Sequence, residues 1–183
     1  MKLGRLVLAL GALAYGATNA AAQDPVSAHE VKAAFIYNFA KFAQWPADGL
    51  ESDKQLPVCV IGDAAVAAAL ERTSQGHTIQ GREVRVRIVK TGDALLACRI
   101  LYIGGMDAKT AAQLIGPLSS LPVLTISDSD SFAATGGIAE LFMENGRMRF
   151  AINVTAANRA RVVLSAKLLS LAKNVKDGNH VQR

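Results

Sequence analysis

The chain has 183 residues, 51% of them hydrophobic, a length and composition that suit one domain with one sizeable core. Its formal net charge is +5, and setting aside Lys2 and Arg5 near the N-terminus leaves +3. The densest basic stretch, 82–90, alternates charged with apolar residues and includes Glu83. This alternation is typical of a strand with one solvent-exposed face rather than of a surface that binds a phosphate backbone, so nucleic acid is not expected as a partner.

Residues 1–22 have the layout of a secretory signal peptide. A basic start, MKLGR, precedes the apolar run LVLALGALAYGA, and small residues place an A-x-A cleavage site at 20–22, so the mature chain would begin near Gln23. The apolar run is shorter than the roughly 20 residues that span a bilayer. An uncleaved membrane anchor is the alternative. We expect a cleaved signal peptide, a periplasmic location, and a single domain over 23–183 with its core at about 28–176.

The first predicted element of the mature chain is a helix. Ser27 and Glu30 have the spacing of a capping box, in which each side chain hydrogen-bonds the backbone N–H of the other residue. Apolar residues then recur at helical spacing in two rows, at 31, 35, 39 and 42 and at 36, 40 and 43. Pro46 should end the helix near Gln44, because the residue before a proline avoids the helical region.

From residue 57 to 127, short apolar runs alternate with helical patterns. Strands are predicted at 57–62, 83–89, 98–105 and 122–127. Helices are predicted after Asp63 and over 107–116, with one or two helical turns at 92–98. Alternation of strands with helices favours a mainly parallel sheet.

The C-terminal third changes pattern. Asn145 and Gly146 separate two strand-like runs and predict a β-hairpin over 138–154. Thr155 should then cap one long helix reaching about Lys176, with an apolar stripe at 164, 168, 171 and 175 and a fraying tail. The fold class predicted is α/β: a single-domain three-layer sandwich, its mainly parallel sheet extended by an antiparallel C-terminal hairpin, with helices on both faces.

Two cysteines, Cys59 and Cys98, remain in the mature chain. An even number in an oxidising compartment indicates one disulfide, which would close a loop of 39 residues. A redox-active pair, the alternative, normally has C-x-x-C spacing, and these cysteines lie much too far apart for it. We therefore expect a structural disulfide between neighbouring strands.

Half of the ten aromatic residues lie between positions 35 and 45. Phe35, Phe39 and Phe42 share one helical row and should dock the first helix on the sheet. Tyr37 lies off that row, and Trp45 stands at the helix exit beside Pro46. Because tyrosine and tryptophan are enriched at interfaces, these two are the candidates for a partly exposed contact with a partner.

No constellation typical of an enzyme is apparent in the sequence. The three histidines lack metal-ligand spacing, and no cofactor motif or G-x-S-x-G elbow is present, so neither a metal nor a cofactor is expected. Asp128 and Asp130 could act as paired acids or bind a hard cation, but two carboxylates alone are weak support. Gly62 and Asp63 are better explained as a strand end and a helix cap than as a ligand loop. A binding or regulatory protein is the expectation.

Several segments together resemble the YfiR family of bacterial periplasmic proteins, over about 28–173. In chain order they are VKAAFIYNFAKFAQWP, VCVIGD, CRILYIGG, VLTISD, GGIAELFMENGRMRFAINVTAANRA and LSAKLLSLAK. The resemblance implies a repressor that binds the periplasmic sensor region of an inner-membrane GGDEF diguanylate cyclase and lowers cyclic-di-GMP and biofilm formation. It also implies an OmpA/Pal-like outer-membrane lipoprotein that sequesters the repressor, a homodimer, and a disulfide at the position of Cys59 and Cys98.

The chain departs from the family pattern at two places. The second cysteine pair that some members carry near Phe132 to Glu140 is missing, and Arg161 and Val162 stand where relatives often have Gly and Leu. These departures leave the partner surface open. The alternative function is a small-molecule-binding module that feeds another sensor, either a histidine kinase or an outer-membrane receptor system.

Overall fold

The computed structural model describes residues 27–46, 54–177 and 180–182. The predicted signal peptide, 1–22, lies outside these residues. The described chain has the predicted fold class, a mixed α/β sandwich with a mostly parallel sheet and an antiparallel strand pair. Its helices are α1 (Ala28–Phe42), α2 (Ala64–Ser74), α3 (Ala108–Ile115), α4 (Val154–Arg159) and α5 (Ala166–Leu171).

The strands follow in the same numbering. They are β1 (Ala43–Gln44), β2 (Gln55–Ile61), β3 (Thr78–Ile79), β4 (Arg82–Ile88), β5 (Ile100–Ile103), β6 (Leu124–Ser127), β7 (Ala139–Glu144), β8 (Arg147–Asn153), β9 (Val163–Leu164), β10 (Asn174–Asp177) and β11 (His180–Gln182). Nine of them form one sheet in the order β11-β10-β8-β7-β6-β5-β2-β4-β3, and β1 pairs with β9 separately. Strands β4, β2, β5, β6 and β7 run parallel to one another, and β7 and β8 form the predicted hairpin.

Helix α1 begins as the sequence predicts. The Ser27 hydroxyl accepts from the Glu30 backbone N–H at 3.2 Å, and the Glu30 carboxylate accepts from the Ser27 N–H at 2.9 Å. The helix ends at Phe42, after which Ala43 is extended and begins β1. The capping box and the helix stop are therefore confirmed.

Two apolar cores lie on the two faces of the sheet. Helices α1, α2, α4 and α5 contribute to the larger core, and α3 contributes to the smaller one together with the 3-10 helices Leu95–Ala97 and Gly116–Leu118. Strand β2 serves both faces, since Val58 and Val60 point into the larger core and Cys59 and Ile61 into the smaller. The three-layer arrangement is thus confirmed.

The aromatic row of α1 is buried in part. Phe39 is 1% exposed, as expected for a core residue, whereas Phe35 and Phe42 are half-buried. The more deeply buried row is the second one of the sequence pattern, with Ile36, Ala40 and Ala43 at most 1% exposed. The prediction that the whole Phe row docks on the sheet is therefore correct for Phe39 and only partly correct for its neighbours.

The long helix predicted from Thr155 to Lys176 is wrong. Asn153, not Thr155, caps α4 by accepting from the Ala156 N–H at 2.9 Å. The chain then turns at Arg161, passes through β9, forms the one-and-a-half-turn helix α5, and enters β10 beside β8. The tail predicted to fray instead includes β11, paired with β10.

The end of α4 has a clear physical cause. Arg161 adopts φ +56°, its N–H bonds to the Asn158 carbonyl, and the Val162 N–H bonds to the Ala157 carbonyl. These two bonds and the left-handed residue form a Schellman motif, which ends a helix. Ser165 then begins α5 by accepting from the Leu168 N–H at 3.2 Å.

The disulfide between Cys59 and Cys98 is formed, with the two Cα atoms 5.8 Å apart. Cys59 lies within β2, and Cys98 lies two residues before β5, which is the neighbour of β2 in the sheet. Both residues are at most 1% exposed. The prediction of a structural bridge is confirmed.

Candidate functional site

An apolar groove lies on the outer side of α1. It is about 490 Å³ in volume and is lined mainly by Phe35, Phe39 and Phe42 of α1, Phe150 of β8, and Leu168 and Leu171 of α5. We call these six residues the aromatic groove. Helix α5 lies against α1 because the Schellman turn after α4 sends the chain back along β9, whose residues pair with β1 directly after α1.

The floor of the aromatic groove is a stack of three rings. The Phe39 and Phe150 rings meet edge to face, with centroids 5.1 Å apart and planes at 88°. Phe35 packs against the same Phe150 ring at 5.8 Å. Perpendicular aromatic pairs of this kind add about 0.5–1.5 kcal/mol beyond their buried area, so the floor is a firm surface.

The rim of the aromatic groove carries opposite charges. The Glu30 side chain lies at the start of α1, where hydrogen bonds from the Ser27 backbone N–H and hydroxyl hold its pKa below the usual value, so it is ionised at neutral pH. Lys167 of α5 stands with Nζ 5.6 Å from the centroid of the Phe42 ring. Leu171, 62% exposed, completes the rim and presents an apolar side chain to solvent.

The two residues predicted to contact a partner lie outside the aromatic groove. Tyr37 is half-buried and has the Lys41 Nζ 5.7 Å from its ring centroid. Trp45 is also half-buried, and its indole N–H donates to the Arg99 carbonyl at 3.1 Å. The structure does not bring Tyr37 and Trp45 into the groove, and their role in partner binding stays a prediction.

A cluster of charged and polar groups occupies the carboxyl ends of the parallel strands. Lys32 of α1 places Nζ 2.5 Å from the Asp128 carboxylate, which follows β6, and 3.9 Å from the Asp63 carboxylate, which follows β2. The three side chains are between 14% and 22% exposed. We call Lys32, Asp63, Asp128 and the neighbouring Tyr102 the carboxyl-end cluster.

Tyr102 adds a buried phenol to this cluster. Its hydroxyl finds no hydrogen-bond partner of good geometry within the described residues. Burial, followed by the negative charges of Asp128 and Asp63, raises the pKa of Tyr102 far above its usual range, so the phenol stays neutral. The ion pairs of Lys32 attach α1 to the sheet at the point where ligands often bind in α/β folds.

The carboxylates considered for acid–base chemistry have different environments. Asp128 is held by Lys32, whereas Asp130 is exposed, and the structure does not arrange them as a matched pair. Asp63 caps α2 by accepting from the Val66 N–H at 3.0 Å, and a Cβ at Gly62 would overlap the Gly104 carbonyl. In the described part of the chain, no three His, Cys, Asp or Glu side chains are placed to hold a metal ion.

Sequence reasoning did not find the aromatic groove. Its residues come from three segments that lie far apart in the chain, and the sequence pattern alone places Leu168 and Leu171 on the buried stripe of one long helix. A usable signal was Ser165 three residues before Leu168, which is the spacing of a new helix cap.

No helix among the described residues is long and apolar enough to cross a membrane. The buried disulfide fits an oxidising compartment such as the periplasm.

The fold is similar to that of a solved structure, a conserved domain protein from Vibrio cholerae O1 biovar El Tor. The TM-score is 0.54 at 16% sequence identity, and the match covers 82% of this chain and 60% of the other. At this identity the similarity supports the fold alone, and this chain spans only about three-fifths of that protein's length.

A family model described as YfiR/HmsC-like (DUF4154) matches residues 29–173, which include the aromatic groove, the carboxyl-end cluster and the disulfide. The chain therefore belongs to the YfiR/HmsC-like family.

Proposed function

We propose that this protein is a non-enzymatic periplasmic repressor that binds the periplasmic sensor region of an inner-membrane GGDEF diguanylate cyclase and keeps the cyclase inactive. Membership of the YfiR/HmsC-like family, which suggests a periplasmic regulator, supports the class of function. The observation that carries the proposal is the aromatic groove, since it gives a regulator without an evident catalytic set a specific surface for a partner.

The chemistry of the groove fits an apolar protein segment. Phenylalanine and leucine side chains supply contact area, and the stacked floor loses little freedom when a partner binds. Glu30 at one end and Lys167 at the other can orient a segment that carries opposite charges in the reverse order. The proposed occupant is an amphipathic helix of the sensor region, whose apolar face would fill the groove.

Release of the cyclase follows from the same surface. An OmpA/Pal-like outer-membrane lipoprotein that presents a similar apolar segment would compete for the aromatic groove and free the sensor region. In this proposal the protein acts as a homodimer, which would allow two sensor regions of a dimeric cyclase to be held together.

Site-specific photo-cross-linking in the native envelope tests the contact. A benzoylphenylalanine at Leu171, on the groove rim, should cross-link to an inner-membrane GGDEF protein identified by mass spectrometry. The matched control is Leu96, which is 66% exposed against 62% for Leu171 and directly follows Leu95, a residue of the smaller core on the other face of the sheet. Equal cross-linking from both positions, or none from Leu171 at native expression, would contradict the proposal.

The second candidate function is a small-molecule-binding module that feeds another sensor. The volume of the groove, about 490 Å³, favours it because this lies within the range of about 300–1,000 Å³ common for ligand pockets. Thermal-shift screening with aromatic amino acids, nucleotides and cofactors distinguishes the two, because a ligand at 100 times its Kd stabilises the fold by about 2.7 kcal/mol. A shift abolished by Phe42→Glu would favour this second function.

A further inference from the structure

One long edge of the sheet has no partner strand among the described residues. Strand β3 pairs with β4 only through Thr78 and Ile79, opposite Glu83 and Arg82. Beyond that point, residues 84–88 pair with β2 on one side and with no described strand on the other. The edge is five residues long, close to the length of an average strand.

The backbone groups that this edge presents can be assigned. The Glu83 N–H donates to the Lys54 carbonyl and the Val89 N–H donates to the Val60 carbonyl, so the odd-numbered residues of β4 point toward β2. Because Thr78 pairs with Glu83, the Val84 N–H faces the His77 carbonyl at the start of β3. Since successive residues alternate in direction, the N–H and C=O groups of Val86 and Ile88 point away from the sheet toward open space. They form a template to which another strand can hydrogen-bond.

A groove of about 740 Å³ runs beside this edge. The C-terminal half of α2 and the turn that follows it form one wall, with Glu71, Arg72 and His77, and β4 residues 83–86 form the other wall. A strand added to β4 would direct every second side chain into this groove. Strand-addition sites work in this way, with backbone bonds giving affinity and pockets giving specificity.

Charge on the opposite face of the edge specifies the occupant. Arg85 and Arg87 are exposed there, opposite Pro57 and Cys59 of β2, on a part of the sheet that α3 leaves open. An added strand would place its alternate side chains beside these guanidinium groups. Acidic residues at those positions would form cross-strand pairs, which stabilise a sheet, whereas basic residues would destabilise it.

The same arginines argue against a second copy of this chain. Two β4 edges could pair antiparallel with a two-fold axis at Arg85 or at Arg87, and that arginine would then lie opposite the same arginine of the other copy. With the axis at Val86, Arg85 would lie opposite Arg87 of the other copy. Each of these registers opposes like charges. We propose that the β4 edge is a strand-addition site for an extended segment of a partner protein that carries acidic residues at alternate positions.

A defined peptide tests this proposal independently of the aromatic groove. The probe is a capped nine-residue peptide alternating glutamate with valine, and its control replaces each glutamate by lysine. Hydrogen exchange of the mature protein should show new protection at the amides of Val86 and Ile88 with the glutamate peptide, and fluorescence anisotropy should show at least tenfold weaker binding of the lysine peptide.

Two sets of variants separate strand addition from other binding. Val86→Pro removes an outward N–H while leaving the β2 ladder intact, and should weaken the glutamate peptide at least tenfold. The conservative Val86→Thr keeps the N–H and should bind normally. The double variant Arg85→Glu with Arg87→Glu should reverse the preference to the lysine peptide, whereas Arg147→Glu, at the hairpin turn, should not.

Several outcomes would overturn the proposal. One is the absence of protection at the Val86 and Ile88 amides at millimolar glutamate peptide, which would leave the arginines as guards against self-association. Equal binding of the two peptides, or binding that survives both the proline and the charge reversal, would also do so. A dimer detected by sedimentation and lost in Val86→Pro would assign the edge to a second copy instead.

Discussion

Arg161 shows how one residue shapes this chain. It holds a left-handed backbone conformation, φ +56°, at the position of a Schellman motif where glycine is usual. A side chain in this conformation costs about 1–2 kcal/mol relative to glycine. The sequence departs from the family pattern at this residue, so the chain retains a turn that it could form more easily with glycine.

We predict that Arg161→Gly is more stable than Arg161→Ala by about 1 kcal/mol. Both substitutions remove the contacts of the arginine side chain, so their difference isolates the backbone conformation. Urea denaturation of the two variants measures it. Equal midpoints would show that residue 161 is not held in the left-handed region.

At the scale of elements, α1 has one fully buried ring and two that border the aromatic groove. Phe39→Ala should lower the free energy of unfolding by about 3–5 kcal/mol, because it removes the ring that stacks on Phe150 in the core. Phe42→Ala should cost less than half as much, since Phe42 already contacts solvent. Thermal or urea denaturation compares the two, and equal losses would contradict this division of the helix.

Elements defined by local signals could be predicted from the sequence. The capping box of α1, the stop before Pro46 and the hairpin at Asn145 and Gly146 each depend on a few adjacent residues, and all three are present. The two turn residues have φ +51° and +72°, as a tight hairpin requires.

The C-terminal region was predicted wrongly because its structure depends on distant partners. The helical spacing of 168 and 171 is real within α5, but Leu164 lies in β9, and Val175 pairs with Ile152 of β8 instead of continuing the stripe. The aromatic groove was missed for the same reason, since it exists only once α5 lies beside α1. Neither the left-handed Arg161 nor the contact between β9 and β1 leaves a signal in the local pattern.

At the scale of the whole molecule, the disulfide joins β2 to the entry of β5 in the middle of the sheet. The bridge closes a loop over a separation of 39 residues and so restricts the unfolded chain. In the chain-entropy model this restriction adds about 4 kcal/mol to the free energy of unfolding. The double variant Cys59→Ser with Cys98→Ser should therefore lose a few kcal/mol of stability. Under non-reducing conditions a variant that unfolds at the same urea concentration as the wild type would contradict this role.

The central claim is that the aromatic groove makes this protein a repressor of a diguanylate cyclase. The most direct test is the cellular cyclic-di-GMP concentration in a deletion strain complemented with the wild type, with Leu171→Glu or with Leu96→Glu. Both leucines are similarly exposed, so neither charge disturbs the core, but only Leu171 lines the groove. We predict that deletion raises the cyclic-di-GMP concentration. Complementation with the wild type or with Leu96→Glu should lower it again, whereas Leu171→Glu should leave it high. Unchanged cyclic-di-GMP on deletion, or full repression by Leu171→Glu, would contradict the account.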